Sequence, residues 1–202
     1  YINNGSTLTE TSHWQNNLTG IDSASLSLGD IDNDGDLDLA LSGEASTSPT
    51  NLKFTQIYIN NGSRFNHNTQ WGGNFTQLSF SSTIFGDIDK DDDMDFIHMG
   101  CCDITEFREN NGTSLTLKQI SHITGGPELI GVYGGSLALG DYNNDGLIDL
   151  VTVGQENSRN RVYLNNIAIE SNFSRDGNAS FDLFNADQQN GAVTWADIDN
   201  DG

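Results

Sequence analysis

The sequence is poor in basic residues. Only 8 of its 202 residues are Lys or Arg, against 29 that are Asp or Glu, so the formal net charge is −21. A surface of this sign repels nucleic acid and anionic lipid, which excludes both as partners. No stretch reaches the roughly 18 consecutive apolar residues that a membrane-spanning helix needs, so the sequence also predicts no membrane insertion.

Cysteine is equally scarce. Cys101 and Cys102 are the only two and are adjacent, so no disulfide can join distant parts of this chain. The pair forms either a strained vicinal disulfide or two reduced thiols in a turn. Two Cys near His98 do not make a zinc site, since structural zinc takes four ligands.

Motifs of catalysis are missing too. The four histidines lie in no HExxH pattern, and the sequence contains no Gly-x-Ser-x-Gly elbow and no phosphate-binding loop. Acidic pairs could serve as glycosidase carboxylates, but the acidic loops described next account for most of them. We therefore expect that the chain is not an enzyme.

The acidic residues that are present recur in four short stretches. These begin at Asp30, Asp87, Asp141 and Asp197, which are 57, 54 and 56 residues apart. A second marker alternates with them: Tyr-Ile-Asn-Asn-Gly at 1–5 and at 58–62, with related forms at 107–112 and 163–166. Two markers in fixed order define a repeat of about 55 residues, a period typical of solenoids, propellers and arrays.

Each repeat shows the pattern of four short strands. In the first, residues 24–28 alternate small polar and apolar side chains and the acidic loop follows. We predict a second strand at 38–42, a third at 54–59 and a fourth from Phe65. Asn60-Asn61-Gly62 is a turn that joins hairpin strands, because Asn and Gly tolerate positive φ. No helical periodicity is sustained. We predict an all-β fold of four-stranded antiparallel β-propeller blades.

The repeats divide one propeller segment, 1–202, into three full blades and two partial ones. The predicted boundaries are approximately 1–20 (the end of a preceding blade), 21–77, 78–131, 132–187 and 188–202 (truncated). Three and a half repeats cannot close a ring, since propellers have about four to eight blades. Either the chain is a segment of a longer propeller polypeptide, or another copy completes the split blade in a head-to-tail homo-oligomer.

The acidic stretches follow the spacing D-x-D-x-D-G-x-x-D, which suits a hard divalent cation. Calcium takes six to eight oxygen ligands, and Gly at position 6 allows the chain to coil around it. We predict ligands at positions 1, 3, 5 and 9 through side chains and at position 7 through the carbonyl. They are Asp30, Asp32, Asp34, Asp36 and Asp38; Asp87, Asp89, Asp91, Asp93 and Asp95; Asp141, Asn143, Asp145, Leu147 and Asp149; and, in an incomplete fourth site, Asp197, Asp199 and Asp201.

Other interpretations of these loops are weaker. A solvated acidic turn without metal explains one copy better than four copies at matched spacing. An EF-hand needs Glu at position 12, where this sequence has Leu41, His98 and Thr152. Zinc favours His and Cys, whereas Mg²⁺ remains possible but prefers fewer protein ligands. Asp92 replaces Gly at position 6 of the second loop, so that turn should be more strained.

These motifs resemble a known family. Phe85-Gly86-Asp87 and Leu139-Gly140-Asp141, each followed by its acidic loop and by Asn-Asn, are similar to the FG-GAP or VCBS repeat, the blade of integrin-α-type propellers. The resemblance implies a calcium-loaded propeller, usually seven-bladed in integrins, in a secreted or cell-surface protein. The departures are Asp92 and Ala196 in place of Gly, and a fourth loop without positions 7 and 9.

Further candidate sites are Asn-x-Ser/Thr sequons and tryptophans. If the source is eukaryotic we expect glycosylation at one sequon or more, although those in the Asn-Asn-Gly turns can be by-products of turn chemistry. The sequons are at Asn4, Asn17, Asn61, Asn74, Asn111, Asn172 and Asn178. Trp195 occupies the position of Leu28, Phe85 and Leu139, so we predict it in the core. Trp14 and Trp71 lie between repeats, where packing is favoured over stacking on sugars.

The sequence thus predicts a calcium-binding extracellular β-propeller module that acts as a binding or structural scaffold, for instance in cell adhesion. Three of its calcium sites are complete and the fourth is not. One alternative is a self-assembling surface filament subunit, with blades completed between chains. Another is a non-catalytic appendage of a polysaccharide-acting enzyme. The expected partners are further blades or other protein chains, with glycans as additional candidates.

Overall fold

The computed structural model describes residues 2–3, 5–9, 18, 20–47, 50–102, 104–120, 132–155, 160–165, 173–175 and 191–196. Within these ranges lie fourteen strands and one short helix. They are β1 Ile2–Asn3, β2 Leu8–Thr9, β3 Asp22–Gly29, β4 Asp38–Thr47, β5 Thr50–Asn60, β6 Phe65–His67, α1 Thr69–Gly72, β7 Ser82–Gly86, β8 Asp95–Gly100, β9 Ile104–Asn110, β10 Leu115–Ile120, β11 Tyr133–Gly140, β12 Asp149–Gln155, β13 Arg161–Asn165 and β14 Phe173–Arg175.

Twelve of the strands form three four-stranded antiparallel sheets. The first sheet has the order β3-β4-β5-β6, the second β7-β8-β9-β10 and the third β11-β12-β13-β14, while β1 and β2 pair separately. Each sheet is a meander, with every strand next to its neighbour in sequence. The predicted all-β fold of four-stranded antiparallel repeats is confirmed.

The first strands of successive sheets lie side by side. The backbone N–H of Thr83 in β7 donates to Ser25 Oγ in β3 at 3.0 Å, and the N–H of Leu137 in β11 donates to Ser82 Oγ in β7 at 3.3 Å. Neighbouring sheets therefore contact each other along their first strands, an arrangement compatible with stacked propeller blades.

The hydrophobic core lies between neighbouring sheets. One cluster joins Ile31, Ala40 and Ile57 of the first repeat to Phe96 and Leu115 of the second. A second cluster continues the pattern between the second sheet and the third. All six residues of β8 are buried, because this strand has a sheet on either side. Burying a large apolar side chain contributes about 1.5–3 kcal/mol, so stacking supplies much of the stability of each sheet.

A recurring glycine lets each sheet contact the next at its inner strand. A Cβ at Gly29 would lie 2.9 Å from Phe85 Cδ2, and one at Gly86 would lie 2.5 Å from Leu139 Cδ1. Real Cβ atoms do not approach so closely, so any other residue would have to displace the side chain that covers the glycine. At Gly140 the covering side chain is Trp195, which packs against the core of the third sheet but is only partly buried, whereas the sequence predicted a core residue.

The connection between the first and second sheets contains α1, a single turn. The Asn68 side chain caps it by accepting from the backbone N–H of Gln70 at 2.8 Å. This turn buries Trp71 in the core between the two sheets. Trp71 is thus a packing residue rather than a surface platform, and Trp14 lies outside the described residues. In the part of the chain that is described, no helix is long and apolar enough to cross a membrane.

Candidate metal centre

Three acidic loops occupy equivalent places, each between the first and second strands of a sheet. All three coil in the same way, with left-handed backbone at positions 4 and 6. These residues have φ between 58° and 93° and are Asn33 and Gly35, Lys90 and Asp92, and Asn144 and Gly146. Asp92 thus adopts the strained conformation that its place in the motif predicts, at φ 70°.

The aspartate at position 1 folds the loop around its own carboxylate. Asp30 accepts hydrogen bonds from the backbone N–H groups of Asp34 at 3.0 Å and Gly35 at 2.9 Å. Asp87 and Asp141 repeat both bonds in their own loops. Position 1 therefore shapes the coil and also presents carboxylate oxygens to its interior.

The aspartate at position 9 fastens the loop to the sheet. Asp38 is fully buried, and its two oxygens accept from the backbone N–H groups of Ile31 at 2.9 Å and Asn60 at 2.7 Å. Asp95 and Asp149 make the same pair of bonds. The motif predicted a ligand here, but not this structural role. The recurrence of Asn60, Asn110 and Asn165 at the end of each third strand was the signal that could have revealed it.

The same asparagines link neighbouring repeats. Asn110 Nδ2 donates to the carbonyl of Ile31, in the loop of the first repeat, at 2.9 Å. Asn165 Nδ2 donates to Ile88 O in the second loop at 2.6 Å. A further bond, from Asn33 Nδ2 to Asp93 Oδ1, joins the first two loops directly. Hydrogen bonds between neighbouring repeats therefore hold each acidic loop to the repeat that follows it.

Positions 1, 3 and 9 converge in the first two loops. Asp30, Asp32 and Asp38 each offer one carboxylate oxygen within 4.8 Å of the others. Asp87, Asp89 and Asp95 form the equivalent group. These clusters of oxygens could hold a metal ion.

The aspartate at position 3 supplies an oxygen that lacks a protein partner. Asp32 Oδ1 and Asp89 Oδ1 are both buried and accept no hydrogen bond from the described residues. A buried polar atom without a partner is costly, and costlier still when it carries charge. A cation among the three carboxylates would remove that penalty, so the residues present fit a hard metal ion.

Burial raises the pKa of several of these carboxyls. It raises the pKa of Asp38 to about 6 and that of Asp95 to about 7, against the backbone hydrogen bonds that favour the charged form. Burial, with the charge of Asp91 second, raises the pKa of Asp89 to about 6. A cation stabilises the charged form of each carboxyl and would lower these pKa values.

Positions 5 and 7 are not part of the converging carboxylate groups. Asp34 Oδ1 accepts from the N–H of Asp36 at 2.9 Å, and Asp91 Oδ1 accepts from the N–H of Asp93 at 3.0 Å. Neither Asp34 nor Asp91 belongs to the converging groups. Ligation by position 5, and by the carbonyls of Asp36, Asp93 and Leu147, stays a prediction.

The third loop differs at position 3, where Asn143 replaces aspartate. Asn143 Oδ1 accepts from the backbone N–H of Asp145 at 3.0 Å. Asp141 and Asp149 keep their bonds to the loop, but three acidic side chains converge only in the first two loops of the described chain. The fourth set, Asp197, Asp199 and Asp201, lies outside the described residues.

The described sequons include two in Asn-Asn-Gly turns. Asn61 Oδ1 accepts from the N–H groups of Ser63 and Arg64 at 3.2 and 3.1 Å, and Asn111 repeats the arrangement. These asparagines thus have the turn role that the sequence suggests. Asn74 is exposed at φ 63°. The other four sequons, Asn4, Asn17, Asn172 and Asn178, lie outside the described residues, and glycosylation at any of the seven stays a prediction.

Comparison with known proteins finds a matching family model and a likeness to a solved structure. No curated protein matches the sequence at a significant level. A solved structure of an Agrocybe aegerita lectin, described as recognising non-reducing terminal N-acetylglucosamine, superposes with a TM-score of 0.48 at 17% identity over 75% of this chain. The match covers 37% of that lectin chain. Residues 141–202 match the FG-GAP-like repeat family, so the predicted resemblance is confirmed for that part of the chain.

Proposed function

We propose that the chain is a calcium-binding β-propeller module that acts outside the cell as a binding or structural scaffold. The observation that carries the proposal is the pair of buried oxygens without a partner, Asp32 Oδ1 and Asp89 Oδ1, each within a group of three converging carboxylates. The two groups lie in equivalent loops of successive repeats, which supports the binding of the same kind of ion at each.

The chemistry of the donors favours calcium. Both groups consist of carboxylate oxygens, whereas zinc favours His and Cys and Mg²⁺ keeps several waters. Extracellular calcium modules bind with a Kd of roughly 10⁻⁴–10⁻³ M, which matches the calcium concentration outside cells rather than within them. Loops that bind calcium in this range would be filled outside the cell, which is why we propose an extracellular location.

The proposed ion would strengthen a scaffold rather than take part in catalysis. Its holders are Asp30, Asp32 and Asp38 in the first loop, and their counterparts Asp87, Asp89 and Asp95 in the second. It would supply positive charge where the carboxylates repel each other. Because these loops are joined to the next repeat through Asn33 and Asn110, metal binding and the stacking of sheets would be coupled.

Calorimetric titration and thermal unfolding test this function. Calcium added to chelator-treated protein is expected to bind and to raise Tm, with a stabilisation of about 1–2 kcal/mol per site at millimolar calcium. The double variant Asp32→Asn, Asp89→Asn should weaken binding at both sites by roughly tenfold. Asp36→Asn is the matched control, because it removes a charge from the same loop and keeps the predicted carbonyl ligand. An unchanged Tm on chelation would contradict the proposal.

One observation favours further blades or chains as partners. Leu26 and Leu28 on β3 are 64% and 52% exposed, although Leu28 holds the position at which Phe85 and Leu139 cover the glycine of the preceding repeat. We propose that a preceding blade of a longer polypeptide covers this face. A second copy, which would give the filament alternative, is the competing occupant.

Native mass measurement over a range of concentrations separates the two occupants. Head-to-tail assembly predicts a mass that grows with concentration and that falls in Leu28→Ser. A constant monomer mass would exclude the second copy. Glycan binding and attachment to a polysaccharide-acting enzyme stay predictions.

A further inference from the structure

Two adjacent thiols lie at the turn between β8 and β9, far along the second sheet from its acidic loop. The Sγ atoms of Cys101 and Cys102 are 3.3 Å apart, with the Cys102 thiol donating to Cys101. Cys101 is buried and Cys102 is exposed. Cys102 also has left-handed backbone at φ 72°, a conformation that a residue with a side chain adopts at an energetic cost.

The surroundings of Cys101 favour its thiolate. The backbone N–H of Ser79 donates to Cys101 Sγ at 3.5 Å, and Lys53 Nζ of the first sheet lies 3.6 Å from the same sulfur. Lys53 is one of only 8 basic residues in the chain. Burial raises the pKa of the Cys101 thiol, but the bonds from Ser79 and Cys102 and the charge of Lys53 outweigh it, so the pKa lies below its usual value.

We propose that Cys101 and Cys102 form a reversible thiol–disulfide site that reacts with small disulfides, such as glutathione disulfide. Cys102 is the entry point, because it is the exposed thiol. Cys101 resolves the adduct, because its sulfur already lies beside that of Cys102 and is held by Ser79 and Lys53.

The reaction has two balanced exchange steps. The Cys102 thiolate attacks one sulfur of the small disulfide, forms a mixed disulfide and releases one small thiolate. The Cys101 thiolate then attacks Cys102 Sγ, forms the vicinal disulfide and releases the second small thiolate. Two electrons pass from the protein to the small disulfide, and the two protons lost by the protein thiols end on the released small thiols or in solvent.

The short distance between adjacent cysteines makes the vicinal disulfide easy to reduce. Consecutive Cα atoms are about 3.8 Å apart across a trans peptide, whereas disulfides usually join Cα atoms about 4.4–6.8 Å apart. A vicinal disulfide is therefore strained, and strained disulfides have higher reduction potentials than structural ones. We expect the site to cycle between both states rather than to act as a permanent staple.

Intact-protein mass spectrometry after incubation with glutathione disulfide tests the proposal. The unaltered protein is expected to lose two hydrogens and to carry no glutathione, and dithiothreitol should restore the original mass. Cys101→Ser should retain one glutathione on Cys102, because nothing resolves it. Cys102→Ser should react much more slowly, because Cys101 is buried.

Lysine variants separate an assisted site from two thiols that are merely close. Lys53→Gln should slow the resolving step about threefold, because loss of the lysine charge raises the pKa of the Cys101 thiol and leaves less thiolate, while each remaining thiolate is more nucleophilic. Lys118→Gln, at an exposed lysine bonded to Glu109, should leave the rate unchanged. Far-UV circular dichroism verifies that every variant is folded. A stable glutathione adduct on the unaltered protein, disulfide-linked dimers, or equal rates in both lysine variants would overturn the proposal.

Discussion

The second and third repeats each form a four-stranded sheet with an acidic loop of the same shape, yet they differ in the charged side chains that they bury or bring together. The second loop brings together three carboxylates, whereas the third has Asn143 in place of Asp89, and its amide oxygen turns to a backbone N–H. The second sheet also buries Glu106 against His98 and Arg108. In the third sheet Arg161 stands at the position of Glu106. Thr152 and Tyr163 stand at the positions of His98 and Arg108.

This difference shows that the shape of the loop and its charge have separate causes. Positions 1 and 9 bind backbone N–H groups identically in both repeats, so they set the shape. Position 3 makes no such bond in the second repeat and is free to change. A loop can therefore lose ligand charge without losing its fold.

The largest expected effect is at Glu106, which only the second repeat possesses. Glu106→Gln would leave Arg108 and His98 buried beside a neutral partner, which is expected to cost about 3–5 kcal/mol at neutral pH. The matched variant Arg161→Gln, at the equivalent position of the third sheet, should cost far less, because Arg161 is only partly buried. Urea denaturation at pH 7 measures both.

The cost at Glu106 should depend on pH. Burial raises the pKa of Glu106, but His98, the N–H of Thr76 and Arg108 outweigh it and hold the pKa at about 2, below its usual 4.5. A depressed pKa contributes stability that is complete above about 4.5 and is lost as pH falls towards 2. The difference between Glu106→Gln and the unaltered protein should therefore shrink across that window. A difference that stays constant would show that packing, rather than charge, explains the effect.

The next effect tests what the two repeats share. Asp95→Ala and Asp149→Ala each remove the acceptor of two backbone N–H groups, of which at least one is buried, and we expect both to cost about 3 kcal/mol in chelator. Asp95→Asn should cost less, since the amide oxygen can still accept one bond. Guanidinium denaturation gives the values. A large loss in only one of the repeats would break the claim that position 9 is a common structural element.

A reciprocal exchange at position 3 tests what the repeats do not share. Asn143→Asp should raise the calcium affinity of the third loop roughly tenfold by restoring a charged ligand, and Asp89→Asn should lower that of the second loop by a similar factor. Calorimetric titration of each variant reads out both changes. Equal affinities before and after the exchange would show that the charge at position 3 does not determine how tightly the loop binds calcium.

The smallest effect concerns position 6, where Asp92 replaces glycine. Asp92→Gly should stabilise the protein by about 1 kcal/mol, because glycine adopts positive φ without steric cost. Gly146→Asp, at φ 82° in the third loop, should destabilise it by a similar amount. Thermal unfolding in chelator measures both variants without interference from metal. A destabilised Asp92→Gly would mean that the Asp92 side chain has a stabilising role of its own.

Much of the fold could be predicted because its signals are local. The acidic loop, the Asn-Asn-Gly turn and the alternating strands each occupy a few consecutive residues, and their recurrence identified the sheets. Left-handed backbone at Asp92 followed from its place in the motif. Packing of Trp71 between sheets also followed, although the one-turn helix that carries it had no periodic pattern.

The contacts that escaped prediction join residues far apart in the chain. Asn110 and Ile31 are 79 positions apart, and nothing near either one indicates the other. The Glu106 network was hidden for a similar reason, since its partners include the backbone of Asn74 and Thr76 in the connection between sheets. Convergence of position 1 with position 9, without position 5, depends on the detailed coil of the loop, which spacing alone does not fix.

The glycines at the inner strands have a consequence for how such a chain can evolve. Gly29 receives Phe85, Gly86 receives Leu139 and Gly140 receives Trp195, so the second and third repeats each carry both halves of the same contact, one for each neighbour. A gene that duplicated or deleted one whole repeat would rebuild an equivalent contact at the new junction. An insertion of half a repeat would separate a glycine from its cover. Selection on this contact alone would favour insertions and deletions whose length is close to a whole number of repeats.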